Sequence, residues 1–316
     1  MKAVYLCDDT EILGSGFGSV ADLIRKPVEK YVSILNEHQF VGTFFVDMAH
    51  YIFLLENKQN HINDFLDFKE TIEFLFSRGM NVQLHLHPQW MKAICSKEKT
   101  LDNRWNIGLL SSEEIEKLVK NSINILTKIG QKFDSEYRPT VFKAGSWGLQ
   151  PFEVVFPILS RYGITKIIGI SGNIVIPSQH VDYSNFRNRK NTIKIHSIDV
   201  LLMNMLELNV LDVFLYKFAH MTSKKGNLIN RKFIESSALS DIKLFYRSGT
   251  KMFTHLRWNW HPAWLIKMHL KKVLSDSESE YMYVETHTKD FNEDILTVIS
   301  YLSKARAKGK IEISVP

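Results

Sequence analysis

Segments patterned as β-strands alternate with segments patterned as helices along most of this 316-residue chain. The predicted strands lie at 2–8, 42–47, 81–87, 140–147, 164–170, 192–198, 281–288 and 311–315. The predicted helices lie at about 27–38, 63–78, 110–130 and 292–309. Strands that alternate with long helices form crossover units, and hence a parallel sheet that is closed as a barrel or doubly wound. The sequence therefore predicts an α/β fold.

The stretch at about 200–280 interrupts this alternation, because it is helix-like and rich in aromatic residues. We predict an inserted cap over the mouth of a barrel, within one catalytic domain that covers 1–316. The notable side chains of this stretch are Trp258, Trp260, Trp264, His255 and His261. Packing inside the cap is the favoured interpretation of these side chains. A wall that stacks on sugars and a rival pair of metal-binding histidines are the alternatives.

Residues suited to chemistry stand where several predicted strands end, and in parallel α/β folds functional groups collect at the carboxyl ends of the strands. These residues are Asp8, Asp9, Asp47, His85, His87, Lys143 to Trp147, and Glu285 to His287. Five strand ends that bring polar groups to one edge indicate a single functional site.

His85 and His87 give the strongest local signal. Residues i and i+2 of a strand lie on the same face, so both imidazoles can point towards one position. Two imidazoles and a carboxylate form a three-ligand site that leaves a position open for water, as in catalytic zinc sites. The alternative is a pair of histidines at the edge of the core, each hydrogen-bonded to backbone.

The acidic pair Asp8-Asp9 and the late histidine His287 have structural interpretations as well. One carboxylate of the pair could cap the segment that follows, although a buried carboxylate needs a cation or strong donors. His287 could be an ordinary polar residue at a strand end, with Glu285 or Asp290 near enough in sequence to influence it.

Composition excludes several classes of protein. Two cysteines, Cys7 and Cys95, do not form a disulfide framework. There is no uncharged apolar run of membrane-spanning length and no signal-peptide pattern, so we expect a cytoplasmic protein without a transmembrane segment. The net charge of +6 is scattered along the chain, so nucleic acid is not the expected partner.

These motifs resemble, in order, those of the polysaccharide deacetylase superfamily (NodB-like, carbohydrate esterase family 4). CDDTE resembles the family's TFDDG, GTFFV resembles ATFFV, and QLHLHPQW resembles the segment with the histidine motif. FKAGSW resembles the arginine-containing loop, and VETHT resembles the strand with the catalytic histidine. The resemblance implies an irregular seven-stranded (β/α) barrel.

The resemblance also implies roles for individual residues. Asp8 would be the general base, His287 the general acid, and a backbone N–H near Ser146 the oxyanion contact. Asp9, His85 and His87 would bind a divalent metal, zinc or else cobalt or nickel. Lys143, Trp147 and Trp90 are the expected substrate contacts.

The chain departs from the family pattern at several positions. Gln89 stands where the second metal histidine is usual, which makes His87 or Gln89 the third ligand. Thr10 replaces a glycine, and Lys143 replaces an arginine. The acidic residue that orients the catalytic histidine has no direct counterpart, and Asp182 and Asp199 are its candidates.

The resulting hypothesis is a metal-dependent hydrolase that removes an N-acyl group, most simply N-acetyl, from an amino sugar during synthesis of a surface polysaccharide. The substrate is expected to be nucleotide-linked or lipid-linked, and a diphosphate would suit the positive net charge. The alternatives are a metal-dependent hydrolase of a non-sugar amide and a catalytically inactive, deacetylase-like protein that binds glycan.

Overall fold

The strands and helices largely follow the predicted alternation. The computed structural model describes residues 1–187, 191–209, 211–212, 214–215, 241, 243, 246–248, 251–255, 263–291 and 294–316. The strands are β1 Lys2–Thr10, β2 Thr43–Asp47, β3 Asn81–Leu86, β4 Val141–Ala144, β5 Lys166–Ile170, β6 Val175–Ile176, β7 Val181–Asp182, β8 Ile193–Ile195, β9 Ile198–Leu202, β10 Met205–Leu208, β11 Tyr246–Ser248, β12 Lys251–His255, β13 Tyr281–His287 and β14 Ile311–Ser314. The α-helices are α1 Lys26–Glu37, α2 Met48–Glu56, α3 Ile62–Ser77, α4 Trp90–Ser96, α5 Ser112–Gly130, α6 Phe152–Arg161, α7 Ala263–Ser275 and α8 Asp294–Ala307.

A nine-stranded sheet with the order β13-β1-β2-β3-β4-β5-β9-β8, with β14 also paired to β1, forms the centre of the molecule. The strands from β13 to β9 in this order run parallel to one another. They number seven, which confirms the predicted seven-stranded α/β architecture. The segment predicted as one strand at 192–198 is instead an antiparallel hairpin of β8 and β9, with His196 in the left-handed region at φ 52°.

The sheet curls so that its two ends approach each other. The Tyr281 hydroxyl donates to the carbonyl of Leu202, which ends β9, at 2.7 Å. The Asn204 side chain donates to the Tyr281 carbonyl at 3.0 Å and accepts from the Tyr283 backbone N–H at 2.6 Å. Side chains and backbone of β13 therefore bind the segment that leaves β9, so the barrel is closed by these bonds.

The two faces of the sheet have separate cores. The larger core packs the helices against the outer face, which includes Val4 and Leu6 of β1. The smaller core fills the inner face. Its members are Cys7, Phe45, Val141, Ile168, Leu201, Met203, Tyr281 and Tyr283. Because side chains alternate along a strand, each strand sends every second residue into the barrel.

Local capping explains where two helices begin. Ser111 accepts from the Glu114 N–H at 3.2 Å, and the Glu114 carboxylate accepts from the Ser111 N–H at 2.8 Å. This capping box makes Ser111 the N-cap of α5, which begins at Ser112. Asp47 caps α2, which follows β2 without a loop. The sequence analysis did not predict α2, α4 or α6.

The described parts of 200–280 contain the helix α7 and an antiparallel sheet of β10, β12 and β11. The assignment of this stretch as a cap remains a prediction. Trp258, Trp260, His261 and the side chain of His255 lie outside the described residues. None of the described helices combines the length and the apolar character needed to cross a bilayer.

Candidate metal centre and catalytic site

A cluster of charged side chains lies at the carboxyl ends of the central strands, on the inner face of the barrel. All of its members are at least nine-tenths buried, and they are Asp9, Glu11, His85, His87, Lys143, Glu285 and His287. They come from the end of β1, from β3 and the residue after it, from β4 and from β13. Strand order brings these segments together, since β13, β1, β2, β3 and β4 are consecutive in the sheet.

Glu11, His85 and His87 form a possible three-ligand metal site. The Nε2 atom of His85 lies 3.2 Å from Oε2 of Glu11, and Nε2 of His87 contacts the same oxygen. One ligand atom from each residue lies within 4.8 Å of the others. Two imidazole nitrogens and a carboxylate oxygen are the donor set of a catalytic zinc site that retains an open position. The residues present therefore fit a divalent metal of this kind.

The ring of His85 is oriented by a hydrogen bond behind it. Its Nδ1 lies 2.7 Å from the Lys143 carbonyl oxygen. A carbonyl accepts only, so Nδ1 donates to it, and Nε2 is the ring nitrogen that faces Glu11. Such a second hydrogen bond is usual for histidines that bind metals.

Asp9 belongs to a second group, which is centred on a lysine. The Lys143 ammonium donates to Oδ1 and Oδ2 of Asp9 at 2.5 and 2.6 Å, and to Oε1 of Glu285 at 2.7 Å. Burial disfavours this ammonium, but the two carboxylates more than offset the effect and raise the pKa of Lys143. Nε2 of His287 lies 3.3 Å from Oδ2 of Asp9 and 3.6 Å from Oε1 of Glu11, so it stands between the two groups.

Lys289 supplies a second ammonium at the edge of the site. It contacts Oε1 of Glu11 and lies 3.3 Å from the Ile12 carbonyl. Burial opposes ionisation of Glu11, yet His87 and Lys289 hold the pKa of this carboxyl well below its usual range. Glu11 therefore faces Lys289 and His287 with Oε1, and the imidazoles of His85 and His87 with Oε2.

Asp8 lies on the opposite face of β1 from Asp9. Its side chain is fully buried, and Oδ1 accepts from the Thr10 hydroxyl at 3.1 Å. Burial, and then the negative charge of Asp9, raise the pKa of Asp8 well above its usual range. The structure therefore changes the predicted groupings, because Glu11 takes the place of Asp9 beside the imidazoles and Asp9 takes the place of Asp8 beside His287.

The loop after β4 packs against His87. A Cβ atom on Gly145 would lie 2.7 Å from Cγ of His87 and 2.7 Å from the Leu86 carbonyl, so this position requires glycine. Ser146 and Trp147 follow with positive φ angles of 51° and 58°. An oxyanion contact from the Ser146 N–H remains a proposal.

The expected substrate contacts lie deeper than predicted. Lys143 is 1% exposed and is bound by Asp9 and Glu285. Trp90 is 2% exposed and stacks on His50, with ring centroids 4.4 Å apart and an interplanar angle of 17°. The structure therefore gives these two side chains an internal ion pair and a core contact. Trp147 is 7% exposed, and its carbonyl accepts from the Tyr183 hydroxyl.

Other candidates from the sequence lie apart from the cluster. Asp182 is exposed and accepts from the Ser184 N–H at 2.8 Å. Asp199 pairs with Lys194 at 3.5 Å near the surface. Asp47 is buried beneath the site, where it caps α2 and accepts from the His87 N–H at 3.2 Å.

The sequence analysis missed Glu11 and Lys289. A signal for Glu11 was available, because Asp9 and Glu11 are two residues apart, as are His85 and His87. Lys289 follows His287 by two residues but lies beyond the end of β13, where strand periodicity no longer applies.

No protein-family model and no curated protein matches the sequence. Solved structures do match. A protein named as a polysaccharide deacetylase from Mycobacterium smegmatis gives a TM-score of 0.51 at 11% identity, over 99% of this chain and 86% of that chain. A family 4 carbohydrate esterase from Streptomyces lividans gives 0.45 at 10% identity, over 99% and 92%. A polysaccharide deacetylase from Bacillus cereus gives 0.44 at 11%, over 100% and 92%. The fold shared with the Mycobacterium smegmatis protein confirms the predicted polysaccharide-deacetylase fold.

Proposed function

We propose that this protein is a metal-dependent hydrolase that removes an N-acyl group, most simply N-acetyl, from an amino sugar. The observation that carries the proposal is the Glu11, His85 and His87 cluster, which meets a separate acid and histidine, Asp9 and His287, on the inner face of the barrel. A metal site beside an acid–histidine pair offers the parts that amide hydrolysis needs.

Zinc held by Glu11, His85 and His87 would supply Lewis acidity, which polarises an amide carbonyl and lowers the pKa of a water molecule. Asp9, fixed through both oxygens by Lys143, accepts the proton from the attacking water. His287 delivers a proton to the nitrogen as the C–N bond breaks. The products are acetate and a free amine. The Ser146 N–H is the proposed additional donor to the developing oxyanion.

The charge of the site and of the chain supports a finer proposal about the substrate. Lys289 lies at the edge of the site, and the chain carries a net charge of +6. An acylated amino sugar on a diphosphate carrier, nucleotide-linked or lipid-linked, suits both features. We extend the proposal to a cytoplasmic role in surface polysaccharide synthesis.

The test is acetate release by zinc-loaded protein from free N-acetylglucosamine, its oligomers and UDP-N-acetylglucosamine. We expect Asp9→Asn to abolish release and Asp8→Asn to retain it, because only Asp9 faces His287. If Asp8→Asn abolishes release while Asp9→Asn does not, Asp8 is the base and this assignment of roles is wrong. Activity on the oligomers alone would contradict the diphosphate carrier.

A second candidate function is glycan binding without catalysis. The observation that favours it is that Lys143 and Lys289 already pair with the carboxylates of Asp9, Glu285 and Glu11. These ammonium groups neutralise much of the acidic charge that would attract a metal. Purified protein that binds no zinc and still binds an N-acetylated glycan would support this function over the hydrolase.

A further inference from the structure

The two ring nitrogens of His87 face different partners. Nε2 faces Oε2 of Glu11, and Nδ1 lies 2.8 Å from Nε2 of the Gln89 side chain. The ring is 5% exposed, and Gly145 packs against its Cγ edge. Trp105 lies edge-on, with ring centroids 6.3 Å apart. The imidazole is therefore held in place by packing, and its hydrogen bonds decide which nitrogen carries the proton.

A neutral imidazole has one N–H and one lone pair, and metal binding requires the lone pair on the nitrogen that faces the metal. For Nε2 of His87 to bind zinc, Nδ1 must carry the proton and needs an acceptor. The only side-chain partner recorded for Nδ1 among the described residues is Gln89. Gln89 is 1% exposed, and its backbone carbonyl accepts from the Asp102 N–H at 3.1 Å, so the residue is fixed.

A glutamine amide can form a hydrogen bond with either neutral tautomer of this ring. When the NH₂ of Gln89 points towards Nδ1, it can donate to the tautomer of His87 that carries its proton on Nε2, towards Glu11. The buried Oε1 of Gln89 then has no hydrogen-bond partner among the described residues. Rotation of the amide by about 180° turns Oε1 towards Nδ1, where it accepts Nδ1–H and frees the lone pair of Nε2. The side chain thus changes its role without moving its backbone.

We propose that Gln89 is a positioning residue whose amide sets the tautomer of His87, and with it the ability of Nε2 to bind the metal. The inference rests on the proposed metal site. Gln89 then lies behind His87, and His87 is the third ligand of the proposed site.

The first test is zinc affinity, measured by competition with a chelator. We expect Gln89→Leu to weaken zinc binding by about 10–100-fold, the usual effect of losing a hydrogen bond behind a metal ligand. We expect Gln89→Glu to restore affinity to at least the wild-type level, because a carboxylate accepts Nδ1–H. The matched control is Gln83→Glu, which alters a buried glutamine of β3 whose side chain accepts from the backbone N–H groups of Thr140 and Val141.

The second test reads the tautomer directly, by ¹⁵N NMR of the His87 ring in zinc-free protein in alkaline buffer, where the imidazole is neutral. We expect the proton on Nε2 in the wild type and in Gln83→Glu, and on Nδ1 in Gln89→Glu. A Gln89→Leu affinity equal to that of the control, or a tautomer unchanged in Gln89→Glu, overturns the proposal. If the wild type binds no zinc, the proposed function fails, and the NMR result still decides the role of Gln89.

Discussion

Removal of the Lys143 charge should destabilise the protein strongly. Its ammonium is 1% exposed and lies within 2.7 Å of both Asp9 and Glu285, so Lys143→Met would leave two buried carboxylates without their cation. Breaking a buried ion pair costs about 3–5 kcal/mol, because the remaining charge stays desolvated and uncompensated. With a urea slope of about 3 kcal/mol/M, this loss would lower the unfolding midpoint by about 1–1.7 M.

Urea unfolding at neutral pH is the assay, with Lys132→Met as the matched control. Lys132 pairs with Glu73 at 2.7 Å but is 54% exposed, and surface pairs of this kind contribute about 0–1 kcal/mol. Lys143→Met combined with Asp9→Asn and Glu285→Gln should recover most of the loss, since no buried charge is then left unpaired. A midpoint for Lys143→Met that is indistinguishable from that of Lys132→Met would refute the reasoning.

The other substitutions separate metal binding, strain, packing and ionisation. Asp8→Asn should stabilise the protein at neutral pH, because burial raises the pKa of Asp8. The wild type therefore loses about 1.4 kcal/mol of unfolding free energy per pH unit as the pH rises above 3.8 towards the folded pKa. Urea unfolding across pH should show this slope only in the wild type. Glu11→Gln should weaken zinc binding by more than about 100-fold in a chelator competition, because it removes a direct ligand instead of a hydrogen bond behind one; an unchanged affinity would remove Glu11 from the site. Gly145→Ala should cost about 1–3 kcal/mol and also weaken zinc binding, because its Cβ would lie 2.7 Å from Cγ of His87; loss of stability alone would mean that the loop does not position the ring. Trp90→Ala should cost about 3–5 kcal/mol and leave KM unchanged, and a raised KM in folded protein would restore Trp90 as a substrate contact.

The sequence predicted the fold well where one periodicity decided the outcome. Apolar runs that alternate with helices predicted six of the seven parallel strands, all but β9, and the i, i+2 rule predicted that His85 and His87 share a face. The short helices α2 and α4 were missed because each begins close to a strand end. Asp47 was interpreted as a strand-end functional residue and not as the N-cap of α2, and α4 has no side-chain cap. The left-handed turn at His196, which makes a hairpin out of an apparent single strand, is set by local backbone conformation that composition does not reveal.

The site was predicted less completely, because the alternation rule was applied to the histidines and not to the acids. Adjacent residues of a strand point to opposite faces, so Asp8 and Asp9 cannot both face the barrel interior. Asp9 and Glu11 can, and the structure places both there. The ion pairs of Lys143 and Lys289 join residues more than 130 positions apart, and no local pattern predicts such pairs.

The two lysines also explain how a buried site can hold so many carboxylates. Counted as formal charges, Asp9, Glu11 and Glu285 bring three negative charges, and Lys143 and Lys289 bring two positive ones, so the cluster carries −1 with neutral imidazoles. A divalent cation would change this to +1, and the total stays at +1 when the attacking water passes its proton to Asp9, because the negative charge moves from the Asp9 carboxylate to the oxyanion. A net positive charge that is in place before the negative charge reaches the oxyanion stabilises the transition state more than the neutral bound amide, which is the condition for catalysis. Loss of the Lys289 charge would lower this total to zero and leave less positive charge for the oxyanion, so we expect Lys289→Met to lower kcat more than it alters KM.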